Sequence, residues 1–213
     1  MKDKDIKRLN KITEEFKKGF EFLNTLPKSV VVFGSARTSP KNKHYKRARE
    51  LAYKLAKKGF AIMTGAGGGI MEACNKGAKE AGGISIGLNI DLPNYQEKNK
   101  YITHCIKFDH FYTRKVMFTK YSFASVVFPG GYGTLDELFE QLTVLQNGKI
   151  PQRPLIIIGK HYYAGLFNWV KEILLKGNKI NHTDIKLFYI VDDIDEAIKI
   201  IEKEYKATKK FFI

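Results

Sequence analysis

The amino-acid sequence predicts an α/β fold in three layers, with a mainly parallel sheet covered by helices on both faces. Three observations point to it. Short β-branched and aromatic runs alternate along the chain with longer stretches of helical periodicity. The runs are continuously apolar, as in strands buried on both sides. Several end directly in glycine and other small residues, at points where a helix follows.

Taken in order, Ile6, Leu9, Phe16, Phe20 and Leu23 fall near one stripe of residues 3 to 24, with Lys, Glu and Asn between them, which predicts an amphipathic helix. Pro27 separates it from the body of the chain, so residues 1–27 read as an N-terminal helical extension and residues 28–213 as a single domain. Val30 to Phe33 is the first buried strand. A helix near 44 to 58, a strand near 60 to 64, a helix from 69 to 81 and the strand 84 to 88 come next. After a polar excursion through Pro93 the pattern gives a strand near 102 to 108, a helix near 110 to 121 and the strand 124 to 128. A helix from 133 to 147, the strand 155 to 158, a helix from 162 to 176, the strand 188 to 191 and a helix from 193 to 205 complete it. Repeated βαβ units of these lengths describe a Rossmann-like sheet, in which ligands sit beyond the carboxyl ends of the strands where the connections diverge.

The 213 residues are 44% hydrophobic, enough to bury one core. No apolar run approaches the roughly 20 residues of a membrane span, and the charged N-terminus does not resemble a secretory signal. The expectation is a cytoplasmic protein with no membrane partner. Cys74 and Cys105 fit neither a disulfide framework nor a zinc motif and read as small buried hydrophobes. The net charge of +15 is spread in small groups of lysines over predicted helix faces, which argues against a specific nucleic-acid site while favouring anionic ligands.

Gly34-Ser35, the run Gly65 to Gly69, and Gly130-Gly131-Tyr132-Gly133-Thr134 each follow a strand. Glycine lets an anion approach backbone N–H groups closely, and the next helix adds unpaired donors and the positive end of its dipole. The same glycines also serve as tight turns. Neither long cluster is a Walker A loop, and neither carries the spaced dinucleotide fingerprint with its ribose-binding acid, so a mononucleotide is the expected ligand.

Thr134, Asp136 and Glu137 open the helix after the third cluster, with Leu135, Leu138, Phe139, Leu142 and Leu145 as its expected buried face. Thr134-x-x-Glu137 has the spacing of a capping box; a functional Glu137 would instead reach past a bound phosphate toward a sugar or a water. Arg114 and Lys115 interrupt an apolar helix stripe and are either a surface pair or buried cations in need of a counter-charge. The five histidines show no ligand spacing and read as surface or loop residues, and Trp169 reads as core or subunit interface.

Arg114-Lys115-Val116-Met117 followed by Phe128-Pro129-Gly130-Gly131-Tyr132-Gly133-Thr134-Leu135-Asp136-Glu137 closely resembles the signature of the LONELY GUY family of nucleotide phosphoribohydrolases. Gly34-Ser35-Ala36-Arg37, Thr64-Gly65 through Gly69-Ile70-Met71-Glu72-Ala73 and Ile86 to Asn89 extend the likeness over about residues 28 to 175. The first long cluster departs from the Gly-Gly-Gly-Pro-Gly that relatives often carry. Relatives of this kind have also been labelled lysine decarboxylases, but nothing in the sequence supports a pyridoxal-phosphate enzyme.

The resemblance implies hydrolysis of the N-glycosidic bond of cytokinin or adenine nucleoside 5′-monophosphates to free base and ribose 5-phosphate, by homodimers or larger assemblies. It places the catalytic roles on Arg114 and Glu137. Substrate binding is expected from Gly34, Ser35, Gly67, Gly68, Met71, Lys115, Gly130, Gly131, Gly133 and Thr134, with no metal and no cofactor. The competing expectation is a non-catalytic carrier of a nucleotide or of molybdenum cofactor.

Overall fold

The computed structural model describes residues 1–92 and 98–209, with side chains through Ala207. The excursion through Pro93 lies outside the described residues at 93–97. Seven parallel strands form one sheet in the order β4-β3-β2-β1-β5-β6-β7. They are β1 (Ser29–Phe33), β2 (Ala61–Thr64), β3 (Ser85–Ile90), β4 (His104–Phe108), β5 (Ser122–Val127), β6 (Leu155–Ile158) and β7 (Tyr189–Val191). The helices are α1 (Asp3–Asn24), α2 (Lys43–Lys57), α3 (Ile70–Glu80), α4 (Phe111–Tyr121), α5 (Tyr132–Gln146), α6 (Lys160–Trp169) and α7 (Ile194–Lys209). The predicted single helix over 162 to 176 is instead α6 continued by a π-helical stretch, Val170–Leu175.

Alternation along the strands divides the core. Val30, Val32, Ile62, Val126 and Ile156 pack against α2, α3 and α7 through Leu51, Cys74 and Ala197. Val31, Phe33, Met63, Val127 and Ile157 pack against α1, α4, α5 and α6 through Leu23, Met117, Leu138 and Tyr163. Every position of β1, β2 and β6 is buried, which explains their apolar runs, broken only by Ser29 at the start of β1 and Thr64 at the end of β2. Among the described residues, no helix is long and apolar enough to cross a membrane.

The chain runs outward from β1 to β4, then returns to place β5 on the other side of β1. The connections therefore diverge between β1 and β5, the position where such sheets open a crevice. The two strand ends are tied there: Phe128 N–H donates to Phe33 O at 2.9 Å and Ser35 N–H to Pro129 O at 3.1 Å.

Several side-chain expectations differ. Trp169 is 49% exposed and so is no core residue of the chain, and Cys105 is only partly buried. His110 is tucked against Glu15 with its Nδ1 2.8 Å from the carboxylate, although no helical spacing links the two.

Candidate active site

A cleft of about 810 Å³ opens at the divergence point. Phe33 to Thr38 after β1 and Pro129 to Thr134 after β5 supply its floor, and Arg114 and Phe118 of α4 and Glu137 of α5 supply a wall.

The two long glycine clusters do different work. In the first, Gly69 has φ +60°, and a Cβ there would stand 2.2 Å from Ser35 O. The first amide of α3, Ile70 N–H, donates to that same Ser35 oxygen at 3.0 Å, so this helix end is spent on holding the β1 loop. Gly65 and Met71 reach the cleft, while Gly67 and Gly68 do not line it. Asn99 braces the cluster from below: its Nδ2 donates to Ala66 O at 3.1 Å, Gly67 O at 2.9 Å and Asn75 Oδ1 at 2.9 Å.

In the second cluster, Gly131 is the N-cap of α5 and offers no side-chain cap. The first amide to find an i−4 partner near this end is Leu135 N–H, donating to Gly131 O at 3.0 Å. The amides of Tyr132, Gly133 and Thr134 precede it and form the helix end that borders the cleft. Gly130 is forced by close approach, since a Cβ would lie 2.1 Å from Thr134 Oγ1 and 2.9 Å from Ser35 N. Tyr162, which no local motif marks, donates its hydroxyl to Gly130 O at 2.8 Å and fixes the loop from α6.

The capping box does not form. With Gly131 as N-cap, Thr134 is already the third helical residue and Glu137 lies a turn inside. The buried face also differs from expectation: it carries Thr134, Glu137, Leu138, Gln141 and Leu145, while Phe139 is 36% exposed. Glu137 is 6% exposed, and its Oε2 has no hydrogen-bond partner among the described residues. Burial pushes its pKa up to about 7 against the pull of Arg114, with Glu140 adding repulsion.

Arg114 enters the cleft between two rings, its Cζ 5.2 Å from the centroid of Phe111 and 5.4 Å from that of Phe118. Nη1 donates to Leu88 O at 3.4 Å, and Nε is buried without a partner among the described residues. Burial lowers its pKa, opposed by Glu137 and Asp136. Lys115 turns instead to α5, with Nζ 3.0 Å from Asp136 and 2.7 Å from Glu140. Gly34, Ser35, Met71, Arg114, Gly130, Gly131, Gly133, Thr134 and Glu137 thus gather on one cleft, while Gly67, Gly68 and Lys115 stand outside its lining. His44, read from sequence as ordinary surface, also borders it, as do Arg37 and Thr38.

Sheet, switch point and glycine-opened helix end define a Rossmann-like α/β protein with an arginine and a buried acid on one cleft. A family model described as possible lysine decarboxylase matches residues 71–201, and the chain belongs to that family. A cytokinin riboside 5′-monophosphate phosphoribohydrolase of Mycobacterium tuberculosis is 28% identical over 155 residues, covering 71% of this chain and 82% of that protein. A pyrimidine/purine nucleotide 5′-monophosphate nucleosidase of Escherichia coli is 28% identical over 197 residues, covering 86% of this chain but 42% of the relative. Among solved structures, the molybdenum cofactor binding protein of Rippkaea orientalis superposes with a TM-score of 0.64 at 22% identity, over 84% of this chain and 99% of that one. At that identity the likeness is one of fold.

Proposed function

We propose that this chain hydrolyses the N-glycosidic bond of purine nucleoside 5′-monophosphates, releasing free base and ribose 5-phosphate. The observation that carries the reading is Glu137: a buried carboxylate with an unpaired oxygen, its pKa raised to about 7, one turn inside the helix end that Gly131 leaves without a side-chain cap. Relatives named for this chemistry support it.

The amides of Tyr132 to Thr134 hold the 5′-phosphate, with Gly34 and Ser35 closing the opposite side. A carboxylate would repel that phosphate, so Glu137 serves the pentose end of the ligand, about one helical turn (5.4 Å) farther along. There its ionised form takes a proton from water as the water oxygen bonds to C1′. The C1′–N bond breaks with its electron pair going to the base, which collects a proton from solvent. The ribosyl group is cationic in the transition state, and the Glu137 charge favours it. Arg114 stays protonated and therefore acts by charge and position, its free Nε available to a ligand oxygen. Lys115 acts at one remove, tying α4 to α5 through Asp136 and Glu140. Met71 borders the side of the cleft that the base would meet, while Gly67 and Gly68, outside the lining, act only through the fold of their loop. The same reading has the chain work in the cytoplasm as a homodimer or larger homo-oligomer.

Chromatography of AMP and isopentenyladenosine monophosphate incubated with the protein tests this directly. Wild type should release base, Glu137→Gln should lose about 10² to 10⁴ in rate, and Arg114→Ala about 10² to 10³. Nucleotide binding without any turnover would favour a carrier.

A further inference from the structure

Glu15, in the middle of α1, is a carboxylate that is 9% exposed on a helix otherwise rich in lysine. A buried acid needs partners, and all of those found for Glu15 come from the start of α4. It accepts from Asp109 N–H at 3.2 Å, His110 N–H at 3.4 Å, the Thr113 hydroxyl, and His110 Nδ1 at 2.8 Å when that nitrogen carries the proton. His110 is the N-cap of α4 and makes no side-chain cap of its own. Glu15 thus supplies, from another helix, the acceptor and the negative charge that a helix start favours.

The contact continues down both helices in parallel. Gly19 faces Met117 so closely that a Cβ would lie 2.8 Å from its Cε. At the far end the Tyr121 hydroxyl donates to Asn24 Oδ1 at 2.9 Å, and the Phe20 and Tyr121 rings stand 6.4 Å apart. Lys11 adds an ion pair to Asp109. The helix held in this way is the one that carries Arg114, the residue next to Thr113.

We propose that Glu15 is a positioning residue, and that α1 is a strut that fixes the rotation and height of α4 and so aims the Arg114 guanidinium into the cleft. Arg114 has little else to set it. Among the described residues its polar anchor is one long bond to Leu88 O, and its flanking rings, Phe111 and Phe118, belong to α4 itself. A small turn of α4 about its axis moves guanidinium and rings together. The inference rests on the role given to Arg114 in the proposed function.

The test is a double-mutant cycle between Glu15→Gln and Arg114→Ala, with kcat and KM for AMP and thermal unfolding measured for each variant. Glu15→Gln should lower kcat roughly tenfold with little change in KM, the expected cost of a sub-ångström misplacement. In the Arg114→Ala background the same change should cost less than about twofold, because the group it positions is gone. Equal losses in both backgrounds, or full kcat in Glu15→Gln, overturn the proposal. Should Glu15→Gln fail to fold, Thr113→Val removes one of the bonds from the α4 side and is read through the same cycle. A second readout does not depend on turnover: the Arg114 Nε–H resonance, assigned by its loss in Arg114→Ala, should shift in Glu15→Gln. If wild type leaves AMP intact, the proposed function fails, and this resonance decides the positioning role alone, an unmoved signal in a folded variant refuting it.

Discussion

Glu137 and Arg114 line one cleft, and each keeps a buried polar atom, Oε2 and Nε, that no described protein group pairs. Their charges attract, yet burial prevails in both, raising the acid to about 7 and lowering the arginine. Unpaired buried polar atoms are costly and uncommon in native interiors. Two on one cleft describe a site whose bonds are completed by a ligand, at the expense of the empty fold.

That expense has a sign. Burial penalises the ionised form of Glu137, which ionises near 4.5 when the chain is unfolded and near 7 when folded. Its contribution to stability is complete below 4.5 and is lost as the pH rises to 7. Glu137→Gln should therefore match wild type at pH 4 and exceed it at pH 8 by about 3 kcal/mol, while turnover falls. Urea unfolding at the two pH values measures this. A variant no more stable than wild type at pH 8 would show that the carboxylate is not buried as described.

The glycines of the 130–134 loop should separate by role. At Gly133 a Cβ meets nothing within 4 Å, so the protein itself would tolerate alanine there. Gly133→Ala is expected to unfold at the wild-type temperature yet to bind AMP at least about tenfold more weakly, since the methyl group occupies the path of the phosphate to the amides. Gly130→Ala should instead destabilise by about 1 to 3 kcal/mol, from the clash with Thr134. Calorimetry of unfolding and of AMP binding distinguishes the two. Unchanged affinity in Gly133→Ala would move the phosphate away from this loop.

The sheet was legible because burial on both faces leaves an uninterrupted apolar run, as in Val30 to Phe33 and Leu155 to Ile158. The second glycine cluster was legible for a related reason, since a loop that must approach a ligand and its own helix admits few side chains. What the sequence left obscure is long-range. Helical spacing assigns the buried face of α5 to leucines, whereas Thr134 and Glu137 turn in to the cleft, Gln141 turns in to Ser125, Thr119 and Arg153, and Phe139 is left half-turned to solvent. The contacts between Glu15 and the 109–113 segment, and from Tyr162 to Gly130, join residues far apart in the chain, and no local pattern announces them. The two glycine clusters look equivalent as strings. They differ because Ser35 O consumes the first amide of α3, a fact of packing between β1 and α3.

Asn99 connects the first cluster to the core. It is 9% exposed, and its side chain satisfies the carbonyls of Ala66 and Gly67 while joining the buried Thr64, Asn75 and Ser85 network. Asn99→Ala takes the side-chain donor from Gly67 O, while Ala66 O keeps the backbone N–H of residue 99 at 2.9 Å, and should cost about 1 to 3 kcal/mol of stability. Hydrogen exchange should rise locally at residues 65–69. Exchange that rises across the whole chain equally, with no excess at this loop, would contradict the bracing role.

The pH dependence of turnover offers a separate reading of Lys115. If ionised Glu137 is the base, the rate should rise with pH through about 7 and level off above it. Lys115 holds that pKa down by its charge and Glu140 pushes it up. Burial of Lys115 opposes its own charge, but the hydrogen bonds to Glu140 and Asp136 prevail and keep it protonated across this range. Lys115→Met should therefore move the acid limb to higher pH and Glu140→Gln should move it to lower pH, both with KM for AMP nearly unchanged. A lysine that instead bound the phosphate would raise KM on removal and leave the limb where it was. The two substitutions act in opposite directions on one carboxylate, so a limb that shifts the same way in both, or in neither, would remove Glu137 from the rate-determining proton transfer.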